Sequence, residues 1–95
     1  MVESTIIKDK YIQLLELVKI EAGLNASIWE YYNYLSSYKD KFSAQSNLLY
    51  KQDLKEFLRG ASRYSDEFVF SNTYYSEIRE ATNTLYSLLN SESPI

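Results

Sequence analysis

Four cations spaced four residues apart are the most regular chemistry-bearing pattern in the chain. Lys51, Lys55, Arg59 and Arg63 advance about 40° per step around a helix, so they form one slowly winding basic stripe. The apolar residues Tyr50, Leu54, Phe57, Leu58, Ala61 and Tyr64 take the other face, so the stripe is expected to point to solvent. Such a stripe suits an acidic partner or an anionic surface. It equally suits plain solubility, with Asp53 and Glu56 alongside. The net charge of −3 weighs against phosphate neutralisation as its purpose, so no nucleic-acid partner is favoured.

Carboxylates offer less. Glu77 and Glu80 share a helical face, and Asp66 and Glu67 are adjacent, but no third ligand stands near either pair in sequence, and both read as solvated charges. The chain has no His and no Cys. Without them there is no imidazole base, no thiolate nucleophile and none of the usual zinc or di-iron ligand sets. Gly occurs only at positions 23 and 60, which leaves no glycine-rich phosphate loop and no calcium loop of the EF-hand type. The expectation is a protein that is not an enzyme and uses no cofactor or metal.

Aromatic residues are the compositional anomaly, with 10 Tyr, 4 Phe and 1 Trp in 95 residues. Tyr buries a large ring while its hydroxyl still needs a partner, so these side chains are expected to ring a core. Several lie off the predicted buried faces: Trp29 by roughly 140°, Tyr34 by about 80° the other way, and Tyr75 and Tyr86 along one edge of the last segment. Trp and Tyr dominate protein interfaces, as does Arg. Trp29, Tyr34, Tyr75 and Tyr86, together with the stripe, are therefore the candidate partner-binding residues. Ile6, Leu17 and Ile20 also lie off the buried face of the first segment and mark a possible homodimer surface, with Ile12 on the other side.

The elements that must position these residues are helical. One Pro and two Gly leave too few turn residues for a small β-fold. Apolar residues recur at three-and-four spacing in four segments, predicting helices at about 4–22, 26–42, 47–63 and 73–90. In the first, Ile7, Tyr11, Leu14, Leu15, Val18 and Ala22 form the buried face, with Ser4 as N-cap and Gly23 as a left-handed C′ residue. Asn25 caps the second, whose seam is Ile28, Tyr31, Leu35, Tyr38 and Phe42. Ser46 or Asn47 caps the third, which is expected to pass through Gly60 at a cost of about 1 kcal/mol. A close neighbour over Gly60 and Ala61 would explain the small residues. Residues 65–72 read as a connector that tucks Phe68 or Phe70 into the core. Asn72 or Thr73 starts the fourth helix, whose buried face is Tyr74, Ile78, Ala81, Leu85 and Leu88, widened by Tyr75, Thr82 and Leu89, and 91–95 read as a mobile tail.

The expected fold is a single all-α domain, an antiparallel up-down four-helix bundle. Charges at Glu3, Lys8, Asp9 and Lys10 interrupt the N-terminal region, so neither a signal peptide nor a transmembrane segment is expected. The lack of Cys fits a cytoplasmic setting. The expected function is a non-catalytic protein–protein interaction module of the inhibitor, immunity, antitoxin, adaptor or chaperone-like kind, with a protein partner. In length and expected architecture the chain is similar to four-helix bacteriocin immunity proteins, which would place it at the inner membrane face. A structural homo-oligomer is the other alternative.

Overall fold

Continuous i to i−4 hydrogen bonding requires long stretches free of Pro, and this chain supplies them. The computed structural model describes residues 4–44, 47–71 and 74–90, all helix, turn or short connector. Five α-helices follow in order: α1 Ser4–Leu24, α2 Trp29–Ser36, α3 Lys39–Ser43, α4 Lys51–Tyr64 and α5 Tyr75–Asn90, with 3-10 turns at Ala26–Ile28, Asn47–Tyr50 and Ser65–Glu67. No strand occurs among the described residues. The longest, α1, packs against both α2 and α5, and α4 packs against α5 and α2. The core therefore lies between α1, α2, α4 and α5.

All six predicted core residues of α1 are buried, from Ile7 to Ala22. Its end differs from expectation. Gly23 lies inside the helix with negative φ, and the last helical residue is Leu24. The stop is made by Asn25 instead. Its amide donates to Glu21 O at 2.9 Å, closing the last turn, while its side chain accepts from the Ser27 amide and caps the next. One residue in an extended conformation thus serves two helix ends.

The second predicted helix is broken in two. Ser37 Oγ donates to Tyr34 O and Ser36 Oγ to Asn33 O, competing with the backbone for the same carbonyls. The Tyr38 amide reaches only Leu35 O, three residues back, and Phe42 N then resumes the four-residue pattern from Tyr38 O. The break at Ser37 and Tyr38 leaves Ile28, Tyr31, Leu35 and Phe42 buried and Tyr38 half-buried. Tyr38 stacks on Phe57 of α4, with centroids 4.0 Å apart.

The third helix does run through Gly60. A Cβ placed there would lie 2.9 Å from Tyr34 Oη, and the neighbouring Tyr31 hydroxyl donates to Ala61 O at 2.9 Å. The small residues at 60 and 61 thus admit two tyrosines of α2. The Tyr34 ring is held between Phe57 and Tyr64, so it cannot simply swing away. Gly60→Ala is therefore expected to lower stability by about 1 kcal/mol despite its better helix propensity. In a Tyr34→Phe background the same substitution should instead raise it by about 0.5–1 kcal/mol. Urea unfolding of the four proteins checks both signs.

Tyr50 departs from the predicted face. It belongs to the 3-10 turn before α4, outside the phase of that helix, and is 40% exposed. Most of the described tyrosines are half-buried or exposed at the edge of the core, but Tyr11 and Tyr31, both on predicted buried faces, are fully buried. Each satisfies its hydroxyl by donating to a carbonyl, Tyr11 to Leu35 O and Tyr31 to Ala61 O. Burial pushes both phenols well above the ordinary tyrosine range, so they remain neutral donors.

The connector between α4 and α5 is pinned along its length. Phe68 and Phe70 both pack on Tyr31, and Phe70 stacks on Tyr75. Asn25 Nδ2 donates to Val69 O at 3.2 Å. Glu21 of α1, 1% exposed, accepts from the Ser71 amide at 2.7 Å and from the Ser71 hydroxyl. The fourth helix begins at Tyr75 and buries Ile78, Ala81, Thr82, Leu85 and Leu89, leaving Leu88 and Tyr74 half-buried. The predicted caps at Ser46, Asn72 and Thr73 and the tail 91–95 lie outside the described residues, as do the side chains of Ser4 and Asn47.

Candidate functional site on the α4–α5 face

The predicted stripe does not stand directly opposite the core. It begins beside α5 and winds outward, with Lys51 and Lys55 half-buried and Arg59 and Arg63 exposed. Its inner members engage α5. Arg59 donates from Nε and Nη2 to Tyr86 Oη at 3.1 and 2.7 Å, and its guanidinium carbon lies 5.5 Å from the Tyr86 ring centre. Lys55 Nζ donates to Asn90 Oδ1 at 3.0 Å and lies 5.8 Å from the same ring. Two of the stripe's cations, Lys55 and Arg59, therefore form one cluster with Tyr86, which the sequence offered separately.

A second pair repeats the arrangement within α5. Arg79 Nη1 donates to Tyr75 Oη at 3.0 Å, with its guanidinium carbon 5.7 Å from that ring. The Tyr75 hydroxyl, with Asp66 adding to it, pushes the Arg79 pKa still higher. Beside the Arg59–Tyr86 pair runs a groove of about 280 Å³ lined by Leu58, Arg59, Ser62, Thr82, Asn83 and Tyr86. Side-chain freedom is restricted by these contacts, so the guanidiniums are held in place before any partner arrives. Arg59 uses two of its five N–H donors on Tyr86, which leaves three directed elsewhere.

Sequence reading missed Arg79 as a member of this face. The four-residue step from Tyr75 to Arg79 was the available signal. The Arg59–Tyr86 contact had none, because it depends on how α4 and α5 pair.

The remaining candidates fall elsewhere. Tyr34 is half-buried in the aromatic cluster of α2 and α4 and packs on Tyr31, Phe57 and Tyr64. Trp29 opens α2 with 40% of its surface exposed and has Tyr32 edge-on at 5.3 Å. Trp29→Ala is accordingly expected to change stability by about 1 kcal/mol or less, well short of a core truncation. Its emission should be that of a partly hydrated indole, and a maximum typical of a dry interior would contradict this. Ile6, Ile12 and Ile20 are exposed on α1, as is Leu24, while Leu17 packs partly against the core.

No group of His, Cys, Asp or Glu among the described residues could hold a metal ion. No described helix is long and apolar enough to cross a membrane. Comparison with known proteins finds no matching family model, no similar curated protein and no similar solved structure.

Proposed function

We propose that this protein is a non-catalytic protein-binding module, an antiparallel four-helix bundle in which α2 and α3 together act as one helix. Its docking face is the α4–α5 surface. The observation that carries this reading is the double hydrogen bond from Arg59 to Tyr86, with Lys55 over the same ring. An acidic chain of net charge −3 has gathered five of its ten cations, including all three arginines, on or beside one helix pair: Lys51, Lys55, Arg59, Arg63 and Arg79. Tyr and Arg presented together, with the Tyr86 ring half-buried and the exposed Arg59 guanidinium held against it, are the side chains that contribute most at interfaces.

Inhibition, immunity, adaptor work and chaperoning all fit such a surface, since each requires recognition without chemistry. The setting that best matches the absence of Cys is the cytoplasm. Recovery of one protein partner by the wild-type chain, with loss of that partner both at high salt and in Lys55→Glu/Arg63→Glu, is the expected result. The double variant must first be shown to unfold at the same urea concentration as wild type. A partner retained unchanged by that variant would remove the α4–α5 face from the function.

The exposed isoleucines of α1 favour a second reading, self-association through Ile6, Leu17 and Ile20. Ile6 and Ile20 are both close to half exposed on the same side of the helix. Sedimentation at several concentrations distinguishes the two, because a heteromeric module stays monomeric and an α1-mediated dimer does not.

A further inference from the structure

The guanidinium of Arg59 is only partly used within the protein. Its hydrogen bonds to Tyr86 Oη leave from Nε and Nη2, which together form one edge of the planar group. The edge with parallel N–H groups on Nη1 and Nη2 remains. Arg59 is exposed, and no carboxylate among the described residues pairs with it. The groove of about 280 Å³ beside it is floored by the buried Leu58. Ser62 and Asn83 line the same groove. Both are exposed, and neither side chain has a hydrogen-bond partner among the described residues. Thr82 offers no free hydroxyl there, because it donates to Ile78 O at 2.9 Å.

We propose that this groove seats a single Asp or Glu side chain of the partner protein, its carboxylate paired with the remaining edge of Arg59 and hydrogen-bonded by Ser62 and Asn83. The inference rests on the reading of the α4–α5 face as the docking surface and adds the group recognised within it. Size argues for a side chain. A helix with its side chains is about 10–12 Å across, too wide to enter a groove of this volume. Charge argues for a carboxylate. One guanidinium lines the groove, which matches a monoanion, whereas a phosphate group carries about −1.5 to −2. Ser62 and Asn83 add donors without adding charge. Arg and carboxylate meet through two parallel hydrogen bonds, so direction matters as well as charge. Tyr86 already holds the fork, which lowers the entropy lost when the carboxylate arrives. Lys51, Lys55 and Arg63 supply the longer-range attraction.

A blocked alanine pentapeptide with one central glutamate tests this by NMR titration, against the same peptide with glutamine in that place. The glutamate peptide should cause saturable shifts at the Arg59 Nε–H and the Asn83 side-chain amide, and the glutamine peptide should not. Arg59→Lys keeps the charge and loses the fork, and should weaken binding at least about tenfold. Ser62→Ala and Asn83→Ala should each weaken it about threefold or more, and Lys8→Gln on α1 should leave it unchanged. Absence of saturable shifts, or equal shifts with both peptides, would overturn the seat. Wild-type affinity in Arg59→Lys would overturn the forked contact and return Arg59 to general attraction. Inorganic phosphate binding at these residues more tightly than the glutamate peptide would overturn the carboxylate, in favour of a phosphorylated ligand. All three outcomes leave the docking face standing. Failure of the docking reading itself appears separately, as a captured partner indifferent to Lys55→Glu/Arg63→Glu.

Discussion

Tyr31→Ala is expected to destabilise the protein by about 3–5 kcal/mol, the range for deleting a large aromatic from a core. Tyr31 is the residue through which three parts of the chain meet. Its ring contacts Tyr34 on its own helix, Tyr64 on α4, and both Phe68 and Phe70 of the connector. Its hydroxyl donates to Ala61 O. Removing the ring leaves a cavity bordered by other rings that are themselves fixed by neighbours, so collapse around it is limited. Tyr31→Phe keeps the packing and loses one hydrogen bond. It should cost only about 1 kcal/mol, because the Ala61 carbonyl also accepts from the Ser65 amide. Urea unfolding of the two variants tests the division. A Phe variant as damaged as the Ala variant would mean that the hydroxyl, and not the ring, holds the site together.

The second large effect belongs to Glu21. Glu21→Ala is expected to cost about 2–3 kcal/mol, since the Ser71 amide and hydroxyl both lose a charged acceptor while half-buried. Glu21→Gln retains one carbonyl oxygen and should cost about 1 kcal/mol. The loss should also be local. Hydrogen exchange at the Ser71 amide should accelerate in Glu21→Ala, while amides in the middle of α4 should slow or quicken only with global stability. Wild-type stability in Glu21→Ala would show that desolvating the carboxylate costs as much as its two hydrogen bonds contribute.

These two residues also show what could be read in advance. Tyr31 lay on a three-and-four seam, so its burial followed from periodicity, as did that of Tyr11, Leu14, Val18 and Leu85. Glu21 could not be found that way. A carboxylate at the edge of a helical face is ordinarily solvated, and the group that buries it, Ser71, lies fifty residues away in a segment without periodicity. The break after Ser36 was missed for a related reason. The apolar spacing runs on to Phe42 undisturbed, while the interruption comes from serine hydroxyls taking backbone carbonyls. Gly23 carried a helix-stop signal that Asn25 overrode two residues later.

At the candidate site the cations were legible and their surroundings were not. Spacing alone grouped Lys51, Lys55, Arg59 and Arg63. Placing Tyr86 under Arg59 required the packing of α4 on α5, and only that packing distinguishes a pre-ordered surface from four solvated charges. Trp29 and Tyr34 were nominated on the same geometric ground, yet the structure exposes one and packs the other. Angular distance from a seam does not reveal which neighbouring helix will cover a side chain.

The rate at which the captured partner associates, measured by stopped flow across a range of salt concentrations, tests the central claim most directly. If the α4–α5 face docks that partner, wild-type association should slow steadily with added salt. Lys55→Glu/Arg63→Glu should then associate at least about tenfold more slowly at low salt, with a flatter salt dependence and little change in dissociation. Identical rates and identical salt dependence for the two proteins would contradict the account and leave the stripe as a solubilising surface.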